Sequence, residues 1–169
     1  MIQWYKKVVF ENFANFKGRA RRSEYWYFTL ANIIISFIAM IIDEILHLKI
    51  GSSNSGVVNS LYGLLMFVPS LAVSVRRLHD IGKSGWLLLI AYAIMIIGVV
   101  ALVATSMSAI MGGGDMPAFG ASFIIGILVI LGVAIWILIL FCKEGDQGAN
   151  KYGADPKASG EEINEIGTE

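Results

Sequence analysis

Most of the side chains able to do chemistry fall in three short polar segments. They read Asn15-Phe16-Lys17-Gly18-Arg19-Ala20-Arg21-Arg22-Ser23-Glu24-Tyr25-Trp26, then Arg76-Arg77-Leu78-His79-Asp80-Ile81-Gly82-Lys83-Ser84-Gly85-Trp86, then Gly145-Asp146-Gln147-Gly148-Ala149-Asn150-Lys151-Tyr152-Gly153-Ala154-Asp155-Pro156. Arg19, Arg21, Arg22, Arg76, Arg77 and Lys83 supply cationic donors, and a planar guanidinium can meet a phosphate or carboxylate through two parallel hydrogen bonds. At the level of phospholipid headgroups each such cation contributes about 1 kcal/mol toward an anionic surface. With His79 and Asp80 these residues form the candidate ligand-binding set, and Glu24, Asp80, Asp146 and Asp155 are the carboxylates expected to orient the arginines. A competing assignment gives the same charges only the tasks of enforcing topology and clamping helix ends.

Catalytic patterns are weaker. Gly82-Lys83-Ser84 ends like a phosphate-binding loop, but that pattern requires glycine at position 77, which is Arg77, and a preceding strand where the apolar run predicts a helix. Asp80, Asp146 and Asp155 with His79 could form a weak hard-metal site, against which stands simple ion pairing with the many arginines. The other histidine, His47, is expected on the opposite membrane side. Ser84, His79 and Asp80 name the members of a hydrolase triad, yet residues on one turn point apart and no nucleophile elbow is present. Met107, Met111 and Met116 invite a soft-metal reading that no nearby His or Cys supports. The expectation is no catalytic residue, no metal and no cofactor.

The elements that position these segments follow from composition. Of 169 residues 56% are hydrophobic and 15% charged, where soluble domains carry about 25% charged residues. The charges cluster and leave residues 25–42, 50–75, 84–114 and 116–142 uncharged. A hydrocarbon core of about 30 Å takes roughly 20 helical residues to cross, and only helices or closed barrels satisfy their backbone within it. Unbroken apolar runs of this length predict an all-α membrane protein, a bundle of four transmembrane helices over 26–42, 57–75, 86–104 and 121–141. Residues 1–24 are expected to hold a cytoplasmic amphipathic helix and basic motif, 25–142 the transmembrane domain, and 143–169 a Gly-rich motif with a disordered acidic tail.

Charge sets the expected orientation. Four spans put the N-terminal segment, the 76–85 loop and the C-terminal tail on one side, with every Lys and Arg except Lys49 among them. The positive-inside rule then places both termini in the cytoplasm. No removable signal peptide is visible in the first twenty residues. The one cysteine, Cys142, excludes an internal disulfide.

At 100° per residue, Ile2, Trp4, Tyr5, Val8, Val9, Phe13 and Phe16 share one half of a helix and Gln3, Lys6, Lys7, Glu11 and Asn15 fall largely on the other. Such a helix either lies in the headgroup layer or packs on the end of the bundle. The spans themselves contain no Asp, Glu, Lys, Arg or His, which argues against an ion-coupled pump. Thr29, Asn32 and Ser36 share a face and would line a substrate seam or, as the favoured reading, hydrogen-bond between helices; Ser70 and Ser74 follow Pro69, which is expected to kink the second span. Gly126 and Gly132 are expected to ease packing. Ser23 and Ser84 are expected to cap the first and third spans, Trp26 and Trp86 to anchor them at the interface, and Gly82 and Gly85 to permit the turn between the second and third.

Together, Gly-Arg-Ala-Arg-Arg-Ser-Glu-Tyr-Trp, Arg-Arg-Leu-His-Asp-Ile-Gly-Lys-Ser-Gly-Trp and Gly-Ala-Asn-Lys-Tyr-Gly-Ala-Asp-Pro resemble the bacterial inner-membrane family catalogued as domain of unknown function 805, over about residues 10–156. The resemblance implies a small multi-span inner-membrane protein and supplies no activity. Asn150 and Tyr152 join Glu24, Trp26, Gly82, Ser84, Gly85, Trp86, Asp146 and Asp155 as supporting residues of the three motifs. The leading expectation is a non-enzymatic binding or accessory module whose partners are membrane lipids, anionic ones included. No nucleic acid is expected, a protein partner is unassigned, and a homo-oligomer is compatible with the chain. A small oligomeric channel or carrier, and a membrane enzyme acting on lipid through His79 and Asp80, are the alternatives.

Overall fold

The computed structural model describes residues 1–50, 56–111 and 116–157. They form α1 (Ile2–Lys6), a π-helical turn (Lys7–Glu11), α2 (Arg22–Ile45), α3 (Val57–Asp80), α4 (Trp86–Ile110) and α5 (Met116–Cys142), with no strand among the described residues. The acidic tail from 160 and the outer loop at 112–115 lie outside the described residues. At 1.5 Å per residue the 24 residues of α2 or α3 reach about 36 Å, more than a hydrocarbon core requires. All four long helices are long and apolar enough to cross a membrane. α2 begins before and ends after its uncharged run and α3 ends after its own, because polar end turns continue those helices into the headgroup zone, whereas α4 and α5 stay within theirs.

The chain divides into two compact units, Met1–Lys83 with the segment from Glu144, and Ser84–Lys143. In the first, α2 pairs with α3, and the N-terminal segment packs on both. Val8, Ala20, Phe28 and Val73 form its buried core, with Tyr5, Val9 and Tyr25 against it. The Tyr5 ring stacks on Phe28 at 5.8 Å. Its hydroxyl shares a 3.3 Å hydrogen bond with that of Tyr62, which in turn donates to Asn32 Oδ1. The N-terminal segment therefore packs on the helices through its apolar face. Ile2 and Phe10 remain exposed, at 68% and 76%.

Asn32 is thus a bridge between helices, and Thr29 donates to the Tyr25 carbonyl one turn back. Ser74 donates to the Ser70 carbonyl at 2.7 Å. That is not the Leu65 carbonyl, whose i+4 donor Pro69 removes. The far end of the hairpin is closed by Asp43. Its buried carboxylate accepts the Val58 and Asn59 N–H groups, each at 2.9 Å, and so caps α3 from α2. A Cβ on Gly56 would collide with that carboxylate.

At the near end α3 stops in a Schellman turn: Gly82 N–H bonds the His79 carbonyl and Lys83 N–H that of Leu78. Gly82 takes φ +69, as this turn demands, whereas Gly85 sits at φ −61, a conformation open to any residue. Ser23 does not cap α2: the N-cap is Arg21, with no capping bond from its side chain, because the helix starts earlier than expected. Ser84 does offer its hydroxyl to the first N–H of α4, at 3.4 Å, from one residue before the cap.

In the second unit α4 and α5 pair along their lengths and are apolar on all sides. Gly126 admits Leu102, whose Cδ2 would lie 2.5 Å from an added Cβ, while Gly132 faces open space. Thr105 and Ser106 return their hydroxyls to carbonyls of α4 itself. Such surfaces are satisfied by acyl chains and not by water.

Candidate functional site

The first unit brings together the first and third polar segments and residues 76–83 of the second. Its centre is Asp80, in the last turn of α3, where Oδ1 accepts Arg19 Nε at 2.9 Å and Oδ2 accepts Arg77 Nη1 at 2.5 Å. The three side chains are 7%, 2% and 0% exposed. Such a buried cluster is held only where the remaining donors are satisfied. Arg19 meets that condition by donating Nη1 to the Gly148 carbonyl at 2.6 Å and Nη2 to the carbonyls of Asp146 and Asp80. Asp146 N–H returns to the Asp80 carbonyl at 2.8 Å. One guanidinium thus ties the first motif to the other two.

Glycines make the approach feasible. A Cβ on Gly145 would collide with the Asp80 carboxylate, and one on Gly82 would fall 2.6 Å from Asp146 Oδ2. Arg76 is likewise internal. Its Nη1 pairs with Glu24 Oε1 at 2.6 Å, both side chains being 4% exposed, and its carbonyl accepts Ala20 N–H. His79 stacks on Tyr152 with centroids 3.8 Å apart and planes within 5°, its Nδ1 is 3.2 Å from the Gly18 carbonyl, and its own carbonyl accepts Asn150 Nδ2. Arg76 and His79 therefore hold motifs together, while Arg77 braces Asp80 within the second motif. Lys83 is exposed, and Gly85 and Trp86 belong to the second unit. Trp26 is exposed on α2.

Beside this cluster lies a cleft of about 340 Å³, lined by Arg19, Arg21, Arg22, Asp80, Asp146 and Asp155 from the expected set. Ser23, Glu144 and Lys157 also line it. Arg21 donates to the Pro156 carbonyl. Asp155 accepts the backbone N–H groups of Lys157 and Gly148, each at 2.9 Å, and these bonds hold its carboxyl below the ordinary range. Glu144 Oε1 receives both Arg22 Nη2 and Lys157 Nζ at 3.2 Å. The Lys157 hydrogen bond and charge, followed by the charge of Arg22, lower its pKa. Glu144 and Lys157 escaped sequence reasoning: one follows the last apolar run and the other the third motif, and neither position carries a spacing signal.

No group of three or more His, Cys, Asp or Glu residues among those described is arranged to hold a metal ion. In Asp80 the expected carboxylate is already neutralised by two arginines. The contacts that the cluster's described side chains make are those of ion pairing and hydrogen bonding.

A family model described as a protein of unknown function, DUF805, matches residues 13–154, a range that takes in the first two motifs and nearly all of the third. The chain belongs to the DUF805 family. The inner membrane protein YhaH of Escherichia coli K12 is 32% identical over 158 residues, covering 92% of this chain and 98% of the relative. The inner membrane protein YhaI of the same strain is 38% identical over 156 residues, covering 92% and 97%. No solved structure matches. With four helices fit to cross a bilayer, in a chain similar along its length to inner membrane proteins, this DUF805 chain is an integral membrane protein.

Proposed function

We propose that this DUF805 protein is a non-enzymatic binding module of the inner membrane whose cleft takes the phosphate of an anionic lipid headgroup or of a phosphorylated ligand on the cytoplasmic face. The Lys and Arg distribution supports that side, since the cleft is built from the N-terminal segment, the end of α3 with the turn after it, and the C-terminal segment from 143, which together carry every basic residue but Lys49. The observation that carries the reading is the convergence of Arg22 and Lys157, 44% and 54% exposed by side chain, on one carboxylate at a cleft next to the first turn of α2. Two accessible cations aimed at a single oxyanion suit a phosphate equally well. Arg19, Arg76 and Arg77 are structural in this reading: their charges are used internally and frame the cleft without entering its ligand chemistry.

The experiment is native mass spectrometry of the gently extracted protein beside Arg22→Gln/Lys157→Gln. A phosphate-bearing adduct of defined mass should accompany the wild type and disappear from the double variant. A bare protein in both preparations, at lipid-to-protein ratios that preserve the fold, counts against the cleft as a ligand site.

A further inference from the structure

Four carboxylates line the cleft, and they are not equivalent. Asp80 is buried against two guanidiniums, Asp155 is held by backbone N–H groups, and Asp146 Oδ2 accepts from Asn150 at 3.3 Å. Glu144 is held instead by two side-chain cations that are themselves about half exposed, and its own side chain is 60% exposed. Both bonds fall on the same oxygen, Oε1. The residue stands two positions beyond the end of α5, outside any helix, so side-chain rotation alone can move its carboxylate.

Resting on the cleft reading above, we propose that Glu144 is a built-in competitor: its carboxylate occupies the place of the ligand phosphate between Arg22 and Lys157 and is displaced when a phosphate monoester binds. Exposed ion pairs are individually weak, so ejecting Glu144 costs little. A phosphate monoester carries a charge of about −1.5 to −2 and three acceptor oxygens, more than one carboxylate can offer the same two cations. The device sets a threshold. A singly charged carboxylate-bearing molecule gains nothing over Glu144, whereas a phosphate monoester does, which gives the site selectivity without a closed pocket.

The test uses the full-length protein in detergent micelles, titrated with inorganic phosphate and separately with dihexanoyl phosphatidic acid, as wild type, Glu144→Gln and Arg22→Gln/Lys157→Gln. Calorimetry or native mass spectrometry reads the Kd. Removing the competitor should tighten binding about threefold to tenfold, the span expected when two exposed ion pairs no longer oppose the ligand. The double variant should lose at least about tenfold. Tightening seen with both probes assigns the site to phosphate itself, and tightening with the phosphatidic acid alone assigns it to a lipid headgroup. Unchanged or weaker binding by Glu144→Gln, with binding still lost in the double variant, overturns the competitor and leaves the cleft. No binding by either wild type or Glu144→Gln, or binding indifferent to the double variant, overturns the cleft and the competitor together. Glu144→Ser serves as a second test of the same contact if the glutamine re-forms a hydrogen bond to Lys157.

Discussion

Asp80→Asn removes one charge and almost no volume, and the structure makes its consequence large. The carboxylate lies between Arg19 and Arg77 at 2.9 and 2.5 Å, with all three side chains under 8% exposed. An asparagine keeps one acceptor oxygen but turns an NH2 group toward a guanidinium, and the carboxylate charge that Arg19 and Arg77 share is lost. Breaking a buried pair by removing one partner costs about 3–5 kcal/mol, against about 0–1 kcal/mol for an exposed pair. Arg19 also holds the carbonyls of Asp146 and Gly148, so the loss falls on the docking of residues 144–157 as well as on the end of α3. The equilibrium population in which that segment is detached should rise by about two to three and a half orders of magnitude. Limited proteolysis of the native protein in micelles would read it as faster cleavage within 144–157, alongside a lower thermal midpoint. Arg22→Gln is the internal control, because its contact with Glu144 is exposed and should cost under about 1 kcal/mol. If Asp80→Asn protected the segment as well as the wild type, to within about 0.5 kcal/mol, the cluster would not be what joins the three motifs.

Asp43→Ala should destabilise the first hairpin by about 1–2 kcal/mol, since it strips two N–H groups at the start of α3 of their acceptor; a thermal melt in micelles with Asp43→Asn as the milder comparison checks it. The pH dependence of the C-terminal segment follows from Asp155. Its carboxyl is depressed in the folded state by the N–H groups of Lys157 and Gly148, so its contribution is fully present above the unfolded value of about 3.9 and is lost as pH falls through the lower folded value. The protection of the Gly148 and Lys157 amides against hydrogen exchange, measured relative to the unstructured rate at each pH, should therefore fall only below about pH 4, and protection already lost between about pH 7 and 5 would contradict the assignment.

Much of this architecture is legible in the chain itself. Charge-free runs of about twenty residues dictate membrane helices wherever they occur, because a backbone in hydrocarbon must bond to itself. The three motifs declare themselves by what interrupts those runs, and Gly82 by the turn it must make. The hydrogen-bonded chain from Tyr5 to Tyr62 to Asn32 and the capping of α3 by Asp43 do not, since each joins residues whose separation in sequence has no period.

The sequence by itself determined the membrane class, the four helices and the clustering of charge at their ends, all properties that depend on local composition. Tertiary structure alone decided which arginines are spent internally. Arg19, Arg76 and Arg77 resemble Arg22 in composition and neighbourhood, yet burial commits the first three to Asp80 and Glu24 and leaves the fourth exposed with Lys157 around Glu144. The physical reason is desolvation: a guanidinium removed from water must be paired within the fold, while one at the surface keeps a contact weak enough to exchange.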